Sequence, residues 1–411
     1  MIASQSSGKV TMLTELQVEH YRCFDQVALS LRAAEKPGTG WTVLVGENGT
    51  GKSSLLQAIV FALLDPRPLT ALNSTPWVMV RQGSPDGTAA SMSVTLDNDE
   101  TFRKTVKNSR GSYVEQSDVR SSTTELPLVM AFSARRRIAK PGELPETSNF
   151  EVERVRGLFD PNLPLLAHDA FAQLTTKGQR REFAGVVRDV IVHKLRDSNE
   201  RLFPLVDAFE LRGNGGVTTN AQLLEQERFG LRYGTAYQAK VAVQDLSDGY
   251  QAMLTIVLEI LTQAALHKEA VPDPASLRAV VLIDELEAHL HPRWQRSVMP
   301  LLREIFPYVQ FVITTHSPLV VGSAEPGEVQ LLTVSDDGGD VQVDSLDERL
   351  QALDADEIYD AVFGVPRASS DAYIRRERAY AHAIAQGKTP NPEIAGILEN
   401  AWSDRNELLD R

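Results

Sequence analysis

Residues 43–54 read Val-Leu-Val-Gly-Glu-Asn-Gly-Thr-Gly-Lys-Ser-Ser, an apolar strand running into a glycine-rich loop. Gly46, four further residues and then Gly51-Lys52-Ser53 have the Walker A spacing. Each residue type has a physical job there. With glycine at 46, 49 and 51, the backbone N–H groups from Gly46 through Glu47, Asn48, Gly49, Thr50 and Gly51 can converge on phosphate oxygens without a Cβ in the way. Lys52 supplies a point charge, and the Ser53 hydroxyl is placed to ligate Mg²⁺. The helix opened by Ser54-Leu55-Leu56 aims its positive dipole end at the anion. The pattern predicts phosphate binding.

Three other stretches answer this loop. Val280-Val281-Leu282-Ile283 is an apolar strand ending in Asp284-Glu285. Carboxylates at the end of a buried strand are costly unless a cation or water needs them. Opposite a phosphate loop, Asp284 is placed to hold Mg²⁺ and Glu285 to orient an attacking water. The alternative is a carboxylate capping the next helix. A second apolar strand, Phe311-Val312-Ile313-Thr314-Thr315, delivers His316 to the same edge, to sense the γ-phosphate or to serve structurally. Leu246-Ser247-Asp248-Gly249-Tyr250-Gln251 opens a long helix whose N–H groups make an anion site, or simply starts the helix.

Composition bounds the rest. The 411 residues carry 42 Lys and Arg against 55 Asp and Glu, a net charge of −13, so no global field draws the chain to nucleic acid or anionic lipid. Arg135-Arg136-Arg137 with Lys140, Arg180-Arg181 and Arg375-Arg376 read as solvated faces or internal salt bridges, with phosphate-backbone contact as the rival. His289 and His291 read as part of a turn rather than a zinc site. The single cysteine, Cys23, excludes an internal disulfide. No apolar run reaches the roughly 18–20 residues of a membrane span and no signal-peptide core opens the chain, so a cytoplasmic protein without membrane contact is expected.

Alternating apolar positions predict an antiparallel layer over residues 1–106, the lobe that holds the phosphate loop. Residues 107–245 are expected to be a Ser/Thr-rich loop (107–125) plus a mainly helical insertion. Residues 246–345 alternate helix and strand, the pattern of a parallel α/β sheet. Residues 346–411 read as charged helices.

In this order the motifs resemble those of ABC-class ATPases, most closely the RecF/SMC/OLD branch. Leu246–Gln251 is similar to the family's signature, and His316 stands at its switch histidine. Leu16–Phe24 resembles the branch's first strand and Arg-x-Phe turn; Asp284–Pro292 and Thr314–Pro318 are similarly typical. The resemblance implies an α/β ABC-ATPase head with an antiparallel β layer, a central mostly parallel sheet and a helical signature lobe. It implies ATP and Mg²⁺ as cofactors, with Lys52, Ser53 and Asp284 holding them and Glu285 and His316 catalytic. Arg22 would approach the nucleotide. Two heads would sandwich ATP, with Ser247, Asp248 and Gly249 acting in trans, as a homodimer or higher oligomer. No glutamine of the Q-loop type is assigned: Gln116 lies in the polar stretch and Phe132–Arg137 occupies the next place. The resemblance extends to anti-phage defence ATPases lacking a Toprim nuclease, so a separate effector, nuclease or toxin, is the expected partner. A RecF-like repair ATPase that binds DNA is the rival; a transporter subunit and an inert scaffold fit less well.

Overall fold

The computed structural model describes residues 11–64, 79–85, 87–109, 112–117, 126–136, 150–160, 177–190, 206–211, 229–233, 239–242, 248–268, 270–335, 340–365, 371–386 and 388–398. Contacts divide the chain into one unit over Met1–Ala355 and a second over Asp356–Arg411.

Among the described residues the first unit holds three sheets, the two larger of five and six strands. Strands β1 (Leu13–Tyr21) and β2 (Phe24–Ser30) form a hairpin, and β4 (Ala89–Leu96), β5 (Thr101–Ser109) and β6 (Ser112–Ser117) extend it antiparallel in the order β2-β1-β4-β5-β6. This is the expected antiparallel layer, with one correction. Residues 112–117, expected as loop, form β6 and pair with β5 from Lys104↔Ser117 to Ser109↔Ser112. Gln116 is therefore a sheet residue opposite Thr105.

The second sheet runs β14-β13-β3-β12-β11-β7. Its strands are β3 (Trp41–Gly46), β7 (Val129–Phe132), β11 (Val280–Ile283), β12 (Gln310–Thr314), β13 (Val329–Val334) and β14 (Val341–Leu346). All neighbours are parallel except β14, which closes one edge antiparallel to β13. Every residue of β3, β11 and β12 is buried, which is why these strands read as unbroken apolar runs. Trp41 and Phe311, partners in register, stack with centroids 4.3 Å apart.

Helix α1 (Lys52–Leu63) packs against β4 and β5 of the first sheet and β3 and β12 of the second. That placement between two layers buries it on all sides, from Leu55 and Leu56 to Phe61 and Leu63. Helix α2 (Phe150–Arg156) lies against β7. Helix α3 (Lys177–Arg188) buries Phe183 and Val187 as its spacing predicts.

The segment expected to be mainly helical also holds a three-stranded antiparallel sheet of β8 (Val206–Leu211), β9 (Phe229–Tyr233) and β10 (Ala239–Ala242). It also contributes β7 to the central sheet. Helices α4 (Asp248–Lys268), α5 (Pro292–Ile305) and α6 (Pro318–Val321) complete the unit. The loop that the run Gly213-Asn214-Gly215-Gly216 predicts lies outside the described residues. The second unit takes all but the first residue of α7 (Ala355–Phe363), followed by α8 (Asp371–Ala385), on which Arg375 and Arg376 are exposed as expected. Among the described residues no helix is long and apolar enough to cross a membrane.

Candidate functional site

Parallel strands send their carboxyl ends to one edge, and the loops leaving β3, β11 and β12 meet there. They enclose a cleft of about 390 Å³. Asn48, Gly49, Gly51, Lys52, Ser53 and Ser54 line it from the β3–α1 loop; Asp284, Glu285, Thr314 and His316 line it from the sheet, with Arg22 and Cys23 from the β1–β2 turn.

The loop braces itself. Thr50 is buried, and its Oγ1 donates to the Glu47 carbonyl at 3.0 Å. Lys52 Nζ donates to the carbonyls of Gly46 (2.9 Å) and Glu47 (2.8 Å), so the ammonium lies across the loop. Burial pulls the Lys52 pKa below its usual value, and the charges of Asp284, Glu285 and Glu287 oppose that pull. Gly46, Glu47 and Thr50 shape the loop without lining the cleft.

Ser53 Oγ lies 2.9 and 2.8 Å from the two carboxylate oxygens of Asp284, across 231 residues of sequence. Thr314 Oγ1 donates to Asp284 Oδ1 at 2.6 Å and accepts from the Glu285 N–H at 2.8 Å. One hydroxyl thus fixes both acids. Glu285 takes φ 48°, a left-handed conformation that a glutamate seldom adopts. Glu287 accepts from the His316 N–H (2.6 Å) and from Thr315 Oγ1 (2.7 Å), tying the acid loop to the histidine. Burial, aided by the Lys52 charge, lowers the His316 pKa, so the ring is neutral at pH 7.

Arg22, at φ 53°, donates from its guanidinium to Ser54 Oγ at 3.0 Å. Burial raises the Cys23 thiol pKa, and the side chain packs under the phosphate loop. Of the residues expected to act in trans, Ser247 lies outside the described residues, Asp248 is the first residue of α4, and Gly249 does not line this cleft. A Cβ on Gly249 would press on the Trp294 ring and the His289 carbonyl.

Hydroxyl and carboxylate oxygens at Ser53 and Asp284 are the hard donors a magnesium ion takes. The space over Gly49, where an added Cβ meets nothing within 4 Å, leaves room for a polyphosphate.

Sequence reasoning missed three members of this arrangement. Thr314 and Glu287 stand beside named residues, but only the fold aims their side chains at Asp284 and His316. Arg136, in a run read as solvated or salt-bridged, is buried with its guanidinium against the acid loop. Its neighbour Arg135 is exposed, and Arg137 lies outside the described residues.

The family described as "AAA domain, putative AbiEii toxin, Type IV TA system" matches residues 41–322. Septu protein PtuA of Bacillus mycoides (strain KBAB4) is 25% identical over 329 residues, which are 79% of this chain and 41% of that protein. The Retron Vc95 probable ATPase of Vibrio cholerae serotype O1 biovar El Tor is 30% identical over 98 residues, 24% of this chain and 19% of its own. The matched region thus spans less than half the length of either relative. Among solved structures, an SMC head bound to the C-winged helix domain of ScpA aligns with a TM-score of 0.48 at 15% identity, over 83% of this chain and 99% of that one. With residues 41–322 of 411 matched, the chain belongs to this AAA-domain family.

Proposed function

We propose that the chain is an ATP-binding and ATP-hydrolysing switch that dimerises head to head around ATP. In this reading it is the ATPase subunit of a cytoplasmic bacterial anti-phage defence system and controls a separate effector, a nuclease or toxin. The observation that carries the reading is the meeting of Ser53 with both oxygens of Asp284 beneath a Lys52-bearing glycine loop. Similarity to a Septu protein and to a retron probable ATPase supports the defence setting.

The roles follow from position. Backbone N–H groups of the β3–α1 loop and the Lys52 ammonium hold the β- and γ-phosphates. Ser53 and Asp284 hold Mg²⁺, which when bound neutralises charge on the phosphate oxygens. Glu285 orients the attacking water and draws on its proton, and neutral His316 donates a hydrogen bond to a γ-phosphate oxygen. Arg22 adds positive charge beside Ser54. Ser247, Asp248 and Gly249 at the start of α4 engage the partner's nucleotide, where a helix N-terminus favours an anion.

Phosphate release from ATP by the purified chain tests this. Glu285→Gln is expected to keep ATP affinity within about threefold while kcat falls by roughly 100-fold or more. Turnover equal to wild type would remove Glu285 from its role. DNA binding that is tight, weakens steeply with salt and stimulates turnover would favour the RecF-like repair reading instead.

A further inference from the structure

The loop after β11 carries both acids of the site, and one side chain from another strand gathers its backbone. β7 and β11 run parallel with Phe132 opposite Ile283, and the Asp284 N–H donates to the Phe132 carbonyl at 2.9 Å. The residues leaving the two strands therefore travel side by side. Four positions past β7, Arg136 turns back toward the acid loop. One guanidinium nitrogen donates to the carbonyls of Asp284 (3.2 Å) and Glu285; the other reaches those of Leu286 (3.3 Å) and Ala288 (3.5 Å).

This is an expensive arrangement. Arg136 is only 6% exposed, and its Nε has no hydrogen-bond partner among the described residues. Burial lowers its pKa to about 10 while Glu287, Asp284 and Glu285 pull it back up, so it stays cationic at neutral pH. A planar fork with several donors can collect carbonyls that diverge from one turn; an ammonium cannot span them. The turn it collects includes Glu285, held at φ 48°. Backbone strain of this kind persists only where surroundings over-determine it.

We propose that Arg136 is a positioning residue for Glu285: its guanidinium gathers the carbonyls of residues 284–288 and so holds the Glu285 carboxylate at the cleft. The inference rests on the reading of Glu285 as the residue that orients water. Arg136 also stands where the sequence placed no Q-loop glutamine, beside the strand that flanks the acids.

The test uses the full chain with Arg136→Lys, Glu285→Gln and the double variant. In nucleotide-free protein, hydrogen exchange at the amides of Leu286, Ala288 and Leu290 is expected to quicken by about tenfold or more in Arg136→Lys, while α1 is unchanged. With ATP, kcat falls roughly 10- to 100-fold and affinity stays within about threefold. In the Glu285→Gln background the same change produces no further fall, because one acts through the other. Loop exchange equal to wild type, acceleration spread over the whole chain, or an equal further fall in the double variant would each overturn the proposal. So would failure of both Arg136→Lys and Arg136→Gln to fold, which would make the arginine a core residue only. If turnover does not depend on Glu285, the reading of Glu285 as the residue that orients water fails, and the exchange measurement still decides whether Arg136 holds the loop.

Discussion

Gly49 and Gly51 stand two residues apart, both left-handed (φ 87° and 92°), and a methyl group would meet opposite surroundings at each. At Gly51 it collides with the Phe24 ring and the Cys23 thiol; at Gly49 it enters open cleft. Gly51 therefore serves the fold and Gly49 the ligand. Gly51→Ala is expected to lower unfolding stability by about 3 kcal/mol, the left-handed cost plus overpacking. Gly49→Ala is expected to lose only about 1 kcal/mol. Gly49→Ala should nonetheless weaken ATP binding by about tenfold, about 1.4 kcal/mol. Thermal melts and nucleotide titration of both variants separate the roles, and equal stability losses would sink the distinction. Residues such as Lys52, Ser53 and Asp284 were legible because loop spacing and strand ends place them without reference to the rest of the chain. Thr314, Glu287 and Arg136 were not, since each acts through a side-chain direction set by the strand next door.

At the scale of elements, the two sheets are joined by a residue that belongs to neither ladder's pattern. Gln310 opens β12 fully buried; its Oε1 accepts from the Leu13 N–H (2.9 Å), and its Nε2 donates to the carbonyls of Leu13 (2.7 Å) and Arg32 (3.0 Å). A side-chain amide thus substitutes for strand pairing between β1 and β12. Gln310→Leu would keep the volume and leave one N–H and two carbonyls short of a partner, costing about 2–4 kcal/mol. Gln310 lies at the end of β12 away from His316, so ATP affinity should hold. An unfolding free energy from urea titration within about 1 kcal/mol of wild type would show the stitch to be dispensable. The strands themselves were readable where burial on both faces demands continuous apolar residues, as in β3, β11 and β12. Ser112–Ser117 was read as loop because Ser-Tyr-Val-Glu-Gln-Ser carries little apolar signal, and pairing with β5 supplies what composition withholds. The sheet of β8, β9 and β10 escapes a reading of the insertion as mainly helical.

For the whole molecule, the proposed dimer ties two sites together through α4. Gly249 does not line the cleft at the β3–α1 loop, and a Cβ there would press on the His289 carbonyl and Trp294, which follow the acid loop. A partner's nucleotide seated at the start of α4 would therefore bear on the loop that carries Glu285 in the same chain. Two copies at −13 each also repel, and salt screens that repulsion. Glu285→Gln with ATP and Mg²⁺ is accordingly expected to double in mass by light scattering, more completely at about 0.15 M salt than at 0.01 M. Adding Gly249→Leu should abolish the doubling while leaving ATP affinity within about threefold, because the first cleft is untouched. A single mass at every ATP concentration and salt level would rule out the sandwich and leave a monomeric switch. If Gly249→Leu lost ATP affinity as well, α4 would be acting on its own cleft rather than on a partner's.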